Sequence, residues 1–131
     1  MLIDTSGLLC LFDEKDFRHL KAVHHFQNSK SLITTNYILA EFVPLSQSRK
    51  FPRNESLNFL QDFCNLSRLE IVWVDESLHN QAFELLQNRI DKGYSLCDAV
   101  SFIVMRDHKI SEALTTDHHF EQEGFIQLLE S

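Results

Sequence analysis

Four acidic residues have the type and placement to act together on a phosphate group: Asp4, Glu41, Asp98 and Asp117. Carboxylate oxygens are the ligands that Mg²⁺ and Mn²⁺ prefer. Several ionised carboxylates repel one another unless a cation lies between them, and a cation held in this way can polarise a phosphodiester. The four residues therefore indicate a candidate metal site.

Each acid also has a purely structural role open to it. Asp98 completes a Ser-x-x-Asp capping box that starts at Ser95, which stabilises a helix N-terminus without any catalysis. Asp4 and Asp117 could cap the segments that follow them. Glu41 is harder to assign to structure alone, because its neighbours are almost all apolar. A carboxylate buried there would be costly unless it were paired or metal-bound, which favours a functional role.

Short apolar runs alternate with helical segments along the chain. Strands are predicted at residues 1–4, 31–35, 69–74, 113–116 and 125–129. Helices are predicted from about residue 8, then at 17–28, 37–48 (capped by Asn36), 54–66 (capped by Asn54), about 75–90, 95–108 and 118–123. This alternation predicts a parallel sheet covered on both faces. Because sites in such sheets lie beyond the carboxyl ends of the strands, Asp4 and Asp117 are expected at the site.

Length and composition are those of a single globular domain covering residues 1–131, with 44% apolar and 24% charged residues. The net charge of −7 does not indicate the basic face that is typical of non-specific nucleic-acid binding. It leaves two interpretations open, a generally acidic surface or acids clustered around a cation.

The remaining compositional features favour a cytoplasmic protein. The 3 cysteines are far apart and form no Cys-x-x-Cys pair, which indicates a reducing compartment rather than a disulfide framework or a zinc site. No apolar run approaches the roughly 18 residues of a membrane span. The N-terminus lacks the basic region of a signal peptide. We therefore expect no membrane association.

Four segments together resemble a PIN domain, and most closely the VapC-type toxins of bacterial toxin–antitoxin pairs. They are Ile3-Asp4-Thr5-Ser6, Glu41 after Thr34-Thr35-Asn36, Tyr94-Ser95-Leu96-Cys97-Asp98-Ala99, and Leu114-Thr115-Thr116-Asp117-His118-His119-Phe120. The resemblance covers essentially the whole chain. It implies a three-layer α/β/α domain with a central, mostly parallel sheet of four to five short strands.

The resemblance also implies an activity. In the family the four acids hold Mg²⁺ or Mn²⁺ and the enzyme cleaves RNA, so Asp4, Glu41 and Asp98 would bind one ion and Asp117 would complete that site or assist a second ion. Ser6 and Thr115 match small hydroxyl positions that support the acids. The implied protein is a metal-dependent endoribonuclease that forms a homodimer and is restrained by a small antitoxin.

Two other classes of function compete with this one. A non-catalytic RNA-binding or assembly module of the same fold is the main alternative, although such a module would not need four converging acids. Phosphoryl transfer on small molecules fits poorly, because the chain has no Gly-x-x-x-x-Gly-Lys-Ser/Thr loop. Residue 6 is also Ser, where aspartyl-phosphate hydrolases of the haloacid type carry a second Asp.

Three basic residues and two pairs of adjacent histidines give weaker indications of function. Arg49, Lys50 and Arg53 could hold an RNA backbone, but cations near a helix C-terminus also offset its dipole. The adjacent histidines at 24–25 and 118–119 are expected to point in different directions. We therefore expect surface or packing roles rather than a paired ligand set, with contact between His118 or His119 and a phosphate as the alternative.

Overall fold

The computed structural model describes all 131 residues, and its five strands alternate with seven helices. The strands are β1 (Leu2–Ile3), β2 (Leu32–Thr35), β3 (Leu69–Val72), β4 (Glu112–Leu114) and β5 (Ile126–Gln127). The helices are α1 (Thr5–Phe12), α2 (His19–Asn28), α3 (Asn36–Ser48), α4 (Arg53–Cys64), α5 (Glu76–Asn88), α6 (Leu96–Asp107) and α7 (His119–Gln122). The architecture is three-layer α/β/α, which confirms the predicted fold class.

The sheet is entirely parallel and its strand order is β3-β2-β1-β4-β5. The chain builds outward from β1 through β2 to β3, and then returns to the other side of β1 with β4. Leu2 pairs with Ala113 and Ile3 pairs with Leu114, so the carboxyl ends of β1 and β4 lie side by side. This is the switch point of the strand order, where parallel α/β sheets place their sites.

Helix α6 is the most deeply buried of the helices. Eight of its 12 residues are buried, and the Phe102 ring makes edge contacts with Tyr94 and Phe120, at centroid distances of 5.1 and 5.0 Å. Burial on this scale leaves a helix little freedom to move. The N-terminal turn of α6 is therefore held firmly beside the ends of β1 and β4.

Several element boundaries differ from those predicted. Thr35, not Asn36, caps α3, because its hydroxyl accepts a hydrogen bond from the Ile38 amide. Helix α4 begins at Arg53, directly after Pro52 and without the predicted Asn54 cap. None of the helices combines the length and apolarity needed to cross a membrane.

Strand β4 ends at Leu114, two residues earlier than predicted. The next residues leave the sheet because side chains compete for their amides: Thr116 donates to Ser6 Oγ at 3.0 Å and Asp117 donates to Thr115 Oγ1 at 3.0 Å. Asp117 therefore lies on a turn beyond the strand and not directly at its end.

Gly7 lets α1 approach β4 closely, and we expect the Gly7→Ala variant to be strongly destabilised. An added Cβ would lie 2.0 Å from the Leu114 carbonyl oxygen, which belongs to the backbone and cannot swing away. We expect the free energy of unfolding in urea to fall by about 3 kcal/mol. Gly93→Ala is the control, because its Cβ would meet only ordinary contacts. Equal midpoints of urea unfolding for the two variants would contradict the close packing of α1 against β4.

Candidate active site

A cleft of about 750 Å³ opens beyond the carboxyl ends of β1 and β4. Its lining includes the four predicted acids together with Thr5, Ser6, Pro44, Leu45, Arg49, Gly93, Ser95, Thr116, His118 and His119. The structure thus brings together carboxylates that are up to 113 positions apart in the sequence, from Asp4 to Asp117.

Asp4 lies at the base of the cleft and is held by hydroxyl groups. It occupies the N-cap position of α1, but its side chain makes no capping hydrogen bond. Instead its Oδ2 accepts hydrogen bonds from Thr115 Oγ1 at 2.8 Å and from Ser6 Oγ at 3.4 Å. The two hydroxyl oxygens are 3.1 Å apart. Ser6 and Thr115 therefore contact Asp4 directly and orient it.

Burial of this carboxylate is not compensated by a positive charge. Asp4 is only 6% exposed, and burial is the main reason that its pKa is raised to about 7. The nearby charges of Asp98 and Asp117 raise the pKa further, whereas the hydrogen bond from Thr115 lowers it. No lysine or arginine forms an ion pair with any of the four acids.

Asp98 caps α6 and lines the cleft at the same time. Its Oδ2 accepts a 3.0 Å hydrogen bond from the Ser95 amide, and Ser95 Oγ accepts one from the Asp98 amide, so the capping box is complete. The residue is buried, and that burial together with the charge of Asp117 raises its pKa. The capping role of Asp98 is thus correct without excluding a role in the site.

Asp117 is tied both to its own turn and to the support of Asp4. Its Oδ1 accepts a 2.9 Å hydrogen bond from the His119 amide, so it does cap the turn that leads into α7. Its amide donates to Thr115 Oγ1, the same hydroxyl that donates to Asp4. Thr115 therefore fixes the positions of two of the acids together.

Glu41 reaches the cleft, but the expectation that it is buried was wrong. Helix α3 turns Ile38 and Phe42 into the core, while Glu41 and Pro44 line the cleft and Glu41 is exposed. The Thr5 hydroxyl donates to Glu41 Oε2 at 3.1 Å. Periodicity accounts for the error, because an acid between two apolar helix positions can still lie on the outer face.

Two histidines lie closer to the acids than their sequence pattern predicted. His119 Nδ1 lies 3.2 Å from Asp117 Oδ1 and 3.4 Å from Asp98 Oδ2, and His118 Nδ1 lies 3.8 Å from Asp117 Oδ1. The expectation that these adjacent rings point apart was wrong, because they stand at the start of a four-residue helix and not within a long one. Their position directly after Asp117 was the available signal.

The three basic residues differ in whether they reach the cleft. Arg49 lines the acidic cleft. Lys50 lines only a neighbouring groove, which Arg49 also lines, and the Lys50 backbone has a positive φ of 66°. Arg53 lines neither of these two surfaces. Arg49 is thus the single lysine or arginine that the cleft offers to a phosphate.

The donor set fits a hard divalent cation. Oxygen ligands, repulsion between the acids and the absence of any paired lysine or arginine are the conditions under which Mg²⁺ or Mn²⁺ binds carboxylates. The raised pKa of Asp4 has the same origin, since a bound cation would offset both the burial and the neighbouring charges.

Protonation of Asp4 predicts an unusual dependence of stability on pH in the metal-free protein. Folded Asp4 keeps its proton up to about pH 7, whereas the unfolded residue loses it near 3.8. Between these values the folded state binds more protons, so its contribution to stability falls as the pH rises. We expect the free energy of unfolding of the wild type, relative to that of Asp4→Asn, to decrease from pH 4 to pH 7.

The difference in the free energy of unfolding between the wild type and Asp4→Asn should be measured by urea unfolding in the presence of EDTA. Added Mg²⁺ should restore stability at pH 7, because it binds the ionised folded state. Parallel pH profiles of the wild type and Asp4→Asn would contradict the uncompensated burial of Asp4.

Comparison with known proteins agrees with this fold. The sequence model of the PIN domain family matches residues 1–125. A protein of Archaeoglobus fulgidus named VapC ribonuclease is 31% identical over 115 residues, covering 83% of this chain and 72% of that protein. The 23S rRNA-specific endonuclease VapC20 of Mycobacterium tuberculosis is 30% identical over 129 residues, covering 98% of this chain and 97% of that protein.

A solved structure is similar over almost the whole chain. The crystal structure of Mycobacterium tuberculosis VapC20, described as a sarcin-ricin loop cleaving toxin, superposes with a TM-score of 0.86 at 27% identity. The match covers 96% of each chain. Together with the family match, this similarity shows that the chain belongs to the PIN domain family.

Proposed function

We propose that this protein is a divalent-metal-dependent endoribonuclease and the toxin of a toxin–antitoxin pair. The observation that carries the proposal is the convergence of Asp4, Glu41, Asp98 and Asp117 on one cleft at the switch point of the sheet. Membership of the PIN family and the ribonuclease names of the relatives support it.

The four acids would hold Mg²⁺ or Mn²⁺. When bound, the ion would supply electrophilic stabilisation of the charge that develops on the scissile phosphate. The protein contributes a site whose geometry is set before the ion arrives. Thr115 and Ser6 orient Asp4, Thr5 orients Glu41, and the Ser95 amide holds Asp98.

Arg49 would position the RNA backbone. The rest of the cleft lining carries no lysine or arginine, so Arg49 and the bound cation would make the main phosphate contacts, with His118 or His119, which also line the cleft, as the alternative. A protein with a net charge of −7 otherwise repels RNA. Because the VapC20 relatives are named for 23S rRNA and the sarcin-ricin loop, a ribosomal RNA stem–loop is the first substrate to test.

An antitoxin and a second copy of the chain are the proposed protein partners. An arginine or lysine side chain of the antitoxin would suit the acidic cleft by charge. Apolar side chains that are exposed in the single chain, among them Leu20 at 80%, Trp73 at 70% and Ile90 at 88%, are available for such contacts. Copurification would test the binding of an antitoxin, and light scattering would test the association of two copies of the chain.

Replacing one acid should abolish cleavage without unfolding the protein. Asp98→Asn keeps an oxygen that can cap α6 but removes the charge, and we expect RNA cleavage in Mg²⁺ or Mn²⁺ to fall at least about 100-fold. Asp75→Asn is the matched control, because Asp75 caps α5 through its side chain and lies outside the cleft.

Addition of EDTA should abolish RNA cleavage by the wild type under the same conditions. Cleavage by Asp98→Asn at the wild-type rate would show that the activity lies elsewhere. Mg²⁺ binding without cleavage of total RNA or of the ribosomal stem–loop would favour the non-catalytic module.

The contribution of Arg49 to RNA binding can be distinguished from the effect of removing any one positive charge from the protein. We expect Arg49→Ala to raise the KM for RNA and to reduce the slope of log affinity against log salt by about 0.7, the value for one phosphate contact to a single strand. Arg53→Ala removes the same charge outside the cleft and should change neither. Equal effects of the two variants would contradict a specific phosphate contact by Arg49.

A further inference from the structure

A group of mixed nitrogen and oxygen donors lies at the rim of the cleft. One ligand atom from each of Asp117, His118 and His119 lies within 4.8 Å of the others. His119 Nδ1 is buried and makes no hydrogen bond, although two carboxylate oxygens are 3.2 and 3.4 Å away. The His118 side chain is 63% exposed and the Asp117 side chain 29%. The group therefore combines a buried ring nitrogen, in contact with two carboxylates, with side chains that are open to solvent.

The spacing of these atoms suits a single small ion. Ligand atoms that share a tetrahedral ion at about 2.1 Å lie about 3.4 Å from one another. The Asp117 Oδ1 atom lies 3.2 Å from His119 Nδ1 and 3.8 Å from His118 Nδ1. Small rotations of the exposed His118 side chain would close the remaining difference.

The donor chemistry differs from that of the carboxylate site. Imidazole nitrogen favours transition metals such as zinc, nickel and copper, whereas Mg²⁺ takes oxygen ligands. Asp4 and Glu41 do not belong to this close group. The two sets of ligands meet only at Asp117, with Asp98 beside His119.

We propose that Asp117, His118 and His119 form a second cation site, which binds a transition-metal dication such as Zn²⁺ or Co²⁺ in preference to Mg²⁺. An ion bound there engages Asp117 and so competes with the four-carboxylate arrangement for that residue. Zinc would thus lower the affinity of the cleft for Mg²⁺. The binding site itself does not rest on the proposed RNA cleavage.

Cobalt is the probe that tests this site, because its visible spectrum reports nitrogen ligands and coordination number directly. Metal-depleted protein is titrated with Co²⁺ in the presence of saturating Mg²⁺. We expect tight binding of one Co²⁺, and Zn²⁺ should displace it. His118→Ala should weaken Co²⁺ binding about tenfold or more, since even outer-sphere partners of a metal affect its affinity that much, and should alter the spectrum.

Two control variants show whether the bound Co²⁺ belongs to this group of residues. His24→Ala removes one ring from the other adjacent histidine pair, whose rings are 5.9 Å apart, and should leave the titration unchanged. Asp4→Asn should lose RNA cleavage but keep the Co²⁺ spectrum, so failure of the nuclease proposal and failure of this site are distinguishable. Equal Co²⁺ affinity of the wild type and His118→Ala, or Co²⁺ bound no more tightly than Mg²⁺, would overturn the proposal.

Discussion

The burial of the Asp4 carboxylate at the switch point of the sheet is the constraint on which the rest of the site depends. Strand β1 is only two residues long and fully buried, so the residue that follows it is carried into the interior. Its charge is then costly, and the neighbouring charges of Asp98 and Asp117 increase the cost. A divalent cation bound in the cleft would offset this penalty, which would link the fold directly to the proposed chemistry.

The surrounding elements hold the acids in place despite their repulsion. Thr115 serves two acids at once, because its hydroxyl donates to Asp4 and accepts from the Asp117 amide. The capping box fixes Asp98 at the start of the deeply buried helix α6. Glu41 differs, since it is exposed on α3 and only the Thr5 hydroxyl holds it. The site thus combines acids that are held at its base with one exposed acid at its edge, to which a single hydroxyl donates.

The sequence predicted the parts of this arrangement that follow from periodicity and topology. Alternating strands and helices place Asp4 and the residues after β4 at one edge of a parallel sheet, and Ser95 with Asp98 signals a helix start. Glu41 was predicted in the right place for the wrong reason, because its flanking apolar residues did not imply burial. The direction of the His119 ring and the position of Lys50 outside the cleft depend on a four-residue helix and a positive-φ turn, whose side-chain directions no repeating pattern determines.

Binding of a divalent cation in the cleft should displace a proton from Asp4. Calorimetric titration of Mg²⁺ at pH 6, repeated in buffers with different ionisation enthalpies, measures the protons released on binding. Because the pKa of Asp4 is raised to about 7, we predict the release of about one proton per ion by the wild type and markedly less by Asp4→Asn. Binding of Mg²⁺ without proton release, or with equal release from both proteins, would contradict this exchange of a proton for a cation.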